Sequence, residues 1–140
     1  MARPPSYRLA DSAQQVVGGF LLAGPFVVTE EVWVLAENMS WGHTAVTAAI
    51  VFAIGYGALY EADDDRDPDA EAEVAGVPVR FVSLMMVSFG SVAVLALTLT
   101  APSTFLGDLT PVQQARVTVR AVTVGAIFSV VGAATADSVF

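Results

Sequence analysis

Two adjacent carboxylates, Glu30 and Glu31, stand inside an otherwise apolar run in the stretch PFVVTEEVW, residues 25–33. An ionised side chain is costly within hydrocarbon, about 2.5–3.5 kcal/mol at a membrane centre on insertion scales. An acid in such a run is therefore a candidate functional group that could hold a cation or relay a proton. Rings of acids contributed by several copies select cations in channels. Thr29 adds a hydroxyl to the same patch, and Arg116 and Arg120 are the basic residues of the last apolar block. The chain has no cysteine and one histidine, His43, which excludes thiolate chemistry and a histidine-rich metal centre. No nucleophile–base pair, metal cluster or phosphate loop is visible, so the reading is of a protein that is not an enzyme and needs no cofactor.

The elements that must position these groups are membrane spans. Hydrophobic residues make up 55% of the 140, charged residues only 14%, and the apolar ones fall into four blocks. Each block is roughly 20 residues long, enough for a helix to cross ~30 Å of hydrocarbon. The spacing predicts an all-α, four-helix transmembrane bundle with spans at about 12–37, 42–61, 79–101 and 111–138, a single membrane domain in the cell membrane. Asp11 or Ser12 is the expected first N-cap, and Thr110-Pro111 reads as an N-cap followed by proline at the first helical position. Four spans put both termini on one side. Arg3, Arg8, Arg66 and Arg80 against Arg116 and Arg120 make that side cytoplasmic. Trp33 and Trp41 flank the first connection, where an aromatic belt would lie.

The acidic linker 62–76 alternates Asp63, Asp65, Asp67 and Asp69, yet lacks the glycine and the bidentate glutamate of a calcium loop. A solvated, dispensable segment is the favoured reading. All six basic residues are arginine, against 14 acids, for a net charge of −8. Such a balance suits a cytoplasm with molar salt, as in a salt-loving archaeon, and leaves no basic stripe for nucleic acid.

Helical phase sorts the last span. Thr118, Ala121, Gly125, Ser129, Gly132 and Ala136 share one face, a small-residue seam suited to close helix packing, with Arg116 and Arg120 roughly opposite. In the first span Gly19 and Ala23 share a face with Glu30. Ala49, Ala53 and Gly57 read as a packing face of the second span. A weaker polar stripe, Ser83, Gly90, Ser91 and Thr98, marks the third. Glu30 and Glu31 lie roughly 8–9 Å before the end of a continuous first helix at Ala36, a depth that overlaps that of Arg116 and Arg120. Glu31 is expected to pair with Arg120 or Arg116, leaving Glu30 free for a monovalent or divalent cation.

Pro25, Thr29, Glu31 and Trp33 form a P-x-x-x-T-x-E-x-W pattern. It resembles the first span of a family of integral membrane proteins of unknown function found in bacteria and haloarchaea. Glu30 stands where that family carries methionine. The resemblance implies a membrane fold and a haloarchaeal source, and no activity. Three functions compete: a homo-oligomeric cation channel or transporter with Glu30 and Glu31 at the pathway, a non-catalytic accessory or structural subunit bound to a larger membrane protein, and a small proton-coupled exporter. Membrane lipid is a partner in all three.

Overall fold

A computed structural model describes residues 8–61, 67–70 and 73–139. The chain is an all-α helical bundle. Its helices are α1 (Leu9–Val27), α2 (Glu30–Asn38), α3 (Trp41–Tyr56, continued by a π-helical turn over Gly57–Glu61), α4 (Val79–Thr98), α5 (Ala101–Phe105) and α6 (Pro111–Val139). A 3-10 turn, Pro68–Ala70, and a two-stranded hairpin of β1 (Glu73–Val74) and β2 (Val77–Pro78) precede α4. Three helices are long and apolar enough to cross a membrane, and a fourth span arises if α1 and α2 are counted together. These are the helices of a multi-pass membrane protein.

The first apolar block is not one helix. α1 and α2 meet at an angle of 81°. Pro25 lies inside α1 and has no backbone N–H to donate to the carbonyl of Leu21, one turn back. The chain leaves the helix at Val28, and Thr29 is extended, with φ −100° and ψ 134°. Two side chains then bond the last carbonyls of α1. The Thr29 hydroxyl donates to the Phe26 carbonyl at 2.9 Å, and the Trp33 indole N–H donates to the Val27 carbonyl at 3.0 Å. The 12–37 span is thus corrected to two helices, and Asp11 falls at the third position of α1, where its carboxylate accepts from the Arg8 backbone N–H at 2.8 Å.

α6 is the axis of the bundle, 56% buried along its span where α3 is 22% buried. It opens on a reciprocal cap: the Gln113 N–H donates to the Thr110 hydroxyl at 3.2 Å, and the Thr110 N–H to the Gln113 side-chain carbonyl at 3.1 Å. α1 crosses α6 at Gly18 and Gly132, where a Cβ on either glycine would collide with the carbonyl oxygen of the other. Gly125 lies against Val92 of α4, and Gly55 against Met85. Ala23, Val27, Trp33, Ala36, Val92, Ala96 and Ala121 form one apolar cluster, and Val51, Leu59, Leu84, Val130 and Ala133 a second nearer the other end.

Within the expected linker 62–76 the described residues take up local structure. Residues 62–66 and 71–72 lie outside the described residues, so the alternating aspartates are not assessed as a set. Residues 73–78 form the hairpin, whose turn uses positive φ at Ala75 (53°) and Gly76 (81°), as a two-residue turn matching strand twist requires.

The crossing predicts an asymmetry between glycines. Gly132→Ala should lower stability by about 1–3 kcal/mol, because the new methyl meets backbone that cannot rotate away. Gly90→Ala, where a Cβ would have nothing within 4 Å, should be neutral or stabilising by up to about 1 kcal/mol. Thermal unfolding of the two variants in detergent checks the difference.

Candidate functional site

Glu30 and Glu31 are the first two residues of α2, and both are exposed. A helix N-terminus favours negative charge, so the fold accommodates the doubled acid at a helix start rather than within a buried span. They line an open groove of about 410 Å³ with Val34 and Leu35. Thr29 is committed to the Phe26 carbonyl. The expected pairing of Glu31 with Arg120 or Arg116 does not form: none of these three groups belongs to an ion pair among the described residues. The reason is the break after Val27. It turns α2 across the end of the bundle and points both acids outward, while Val32, Trp33 and Ala36 face inward.

Arg116 and Arg120 sit elsewhere, in a second open groove of about 260 Å³ whose walls include Glu37, Gln113 and Val117. The Arg120 guanidinium carbon lies 4.6 Å from the centre of the Trp41 ring, a cation–π contact. Arg120 Nε is buried and has no hydrogen-bond partner. The acid of α2 that shares a groove with both arginines is therefore Glu37, and not Glu30 or Glu31.

The small residues meet inside the chain. Gly19 and Ala23 are buried, and a Cβ on Gly19 would touch the Ser91 and Ser129 hydroxyls at 3.0 and 3.1 Å. Ser129 donates to the Gly19 carbonyl at 3.2 Å, tying α6 to α1. The polar stripe of the third span is not gathered into a lining. Ser91 is buried at this crossing, Ser83 bonds elsewhere, Thr98 is exposed, and Gly90 has open space beside it.

The strongest polar constellation was not singled out by the sequence reading. Arg80 Nη1 lies 2.7 Å from Asp137 Oδ1, with side-chain exposures of 6% and 0%. Its Nη2 lies 3.6 Å from Asp11 Oδ2. Gln15, fully buried, donates from Nε2 to Asp137 Oδ2 at 3.2 Å and to the Arg80 carbonyl at 3.4 Å. The Ser83 hydroxyl donates to Gln15 Oε1 at 2.7 Å and lies 3.0 Å from that of Ser12. The network joins the start of α1, the start of α4 and the end of α6, so both helical termini lie at one end of the bundle. Each charge opposes its own helix dipole, a cation in the first turn of α4 and an anion in the last turn of α6. Placed together, each offsets the unfavourable position of the other. That opposition is the signal available in the sequence. Among the described residues, no group of three or more histidines or acids is arranged to hold a metal ion.

No protein-family model matches the chain, and neither a characterised protein nor a solved structure shows significant similarity to it.

The buried pair predicts a specific pattern of loss. Asp137→Asn removes the carboxylate 2.7 Å from buried Arg80, leaving that of Asp11 at 3.6 Å, and should cost about 3 kcal/mol. Joint replacement of Arg80 and Asp137 by methionine should cost less than that single change. A double-mutant cycle read by thermal unfolding in detergent checks both.

Proposed function

We propose that the protein is a non-catalytic structural subunit of the membrane that self-associates through the outer face of α3. One contrast carries this reading. The small-residue faces of α1 and α6 are consumed within the chain, whereas that of α3 stays exposed among the described residues. Ala45, Ala49 and Ala53 recur at every fourth residue and are exposed, and a Cβ on Gly57 would have no atom within 4 Å. The sequence reading of Ala49, Ala53 and Gly57 as a packing face is kept, with its partner in a second copy. Exposed alanines and glycine at this period let a second membrane helix approach closely.

A second reading, a cation pathway between copies, is favoured by the exposure of Glu30 and Glu31 in one groove. It requires a ring of α2 helices, since the acids lie on the outside of each protomer. At 1.5 Å per residue the 19 residues of α1 extend about 28 Å, close to the hydrocarbon thickness. The 81° bend then lays α2 nearly along the membrane surface. Acids at that level stand at a membrane boundary rather than within the barrier to an ion.

The absence of native cysteine makes both readings directly testable. Ala49→Cys should form a disulfide-linked dimer on mild oxidation in membranes, and Val94→Cys, on the exposed face of α4, should not. Sealed liposomes containing the protein should show cation flux no greater than empty ones. A monomeric Ala49→Cys variant would refute self-association through α3. Flux that Glu30→Gln abolishes would establish the pathway instead.

A further inference from the structure

We propose that the groove between Arg116 and Arg120 binds the phosphodiester of an anionic phospholipid headgroup. The two arginines are four residues apart and so neighbours on one side of α6. In a chain of net charge −8, two of its six basic residues converge here, and neither is ion-paired among the described residues. Arg120 is held in place by the Trp41 ring at 4.6 Å, and its Nε is buried without a hydrogen-bond partner. A guanidinium so fixed presents a planar fork of donors, the geometry that takes phosphate oxygens in pairs.

Depth and charge select the ligand. Trp41 is the first residue of α3, so the groove lies where a span begins, at the level of headgroups. α6 leads to the same conclusion: its 29 residues extend about 43 Å, some 13 Å more than the hydrocarbon core. Arg116 lies about 8 Å from its Pro111 end, within that excess, and Arg120 about 14 Å from it, at the inner limit. Leu109 and Val117 give the groove apolar walls against which an acyl chain or glycerol backbone can lie. Glu37 also lines it, so two guanidiniums and one carboxylate leave a single positive charge. That balance matches the one negative charge of a phosphodiester better than the two of a phosphomonoester. A free anion must approach an acidic protein from solution, whereas a lipid arrives laterally at the required depth. The site does not depend on whether the chain self-associates.

The full chain, purified in a neutral detergent, is mixed with phosphatidylglycerol, phosphatidylcholine or inorganic phosphate, and retained ligand is counted by native mass spectrometry. Phosphatidylglycerol should be retained over phosphatidylcholine by about tenfold, and Arg116→Gln or Arg120→Gln should each remove most of that preference. Arg120→Lys, which keeps the charge and loses the fork, should fall between. Arg116 is exposed and is in no ion pair among the described residues, so Arg116→Gln reports on binding even if Arg120→Gln unfolds. Equal retention of the two lipids, or an unchanged preference in Arg116→Gln, would overturn the site. Inorganic phosphate retained as strongly as phosphatidylglycerol would overturn its assignment to lipid.

Discussion

The contact of α1 with α6 at Gly18 and Gly132 sets the geometry of the rest. With no Cβ on either residue, the helices approach until backbone meets backbone. That approach fixes an antiparallel register in which neighbouring polar pairs fall opposite each other. Ser129 reaches the Gly19 carbonyl one turn to one side, and Gln15 reaches Asp137 about one turn to the other. Arg80 then enters from α4, and three helices share one buried ion pair. In hydrocarbon, where burial of apolar surface gives no advantage over lipid, close packing and satisfied polar groups are the forces available to hold helices together.

The doubled acid follows from a second constraint, the need to satisfy backbone wherever a helix stops. The pattern Pro25, Thr29, Glu31, Trp33 supplies the parts of a helix break. Proline removes one donor, the threonine hydroxyl and tryptophan indole bond the last carbonyls of α1, and the acids begin the next helix at its positive end. Trp33 also stacks with Phe105 at 6.0 Å, docking α2 onto the end of α5. The acids are thus explained by local helix electrostatics without a bound ion.

Much of the architecture was legible because membranes reduce the options to apolar helices of a set length. The Thr110-Pro111 start of α6 could be read from capping chemistry alone. The break after Val27 could not, because Val28 and Thr29 are tolerated in helices and the stop depends on Trp33 folding back across six residues. Arg80 was read as a loop charge that sets topology, since proximity to Pro78 places it at a helix end. Only the tertiary fold brings Asp137 to it, across 57 positions of sequence. The α3 face shows the limit of phase. Its small residues have the right period for packing, but periodicity does not say whether the partner lies in the same chain.

The central claim is that the acids lie outside the membrane barrier, on a helix turned away from α1. In a chain without native cysteine, Glu31→Cys and Leu21→Cys in sealed liposomes can each be reacted with a charged, water-soluble maleimide. Leu21 faces outward from the middle of α1 and should be shielded by lipid. The account predicts rapid labelling at position 31, on one side of the bilayer, and none at position 21. Protection of position 31 equal to that of position 21 would contradict it, and would return both acids to the interior of a continuous span.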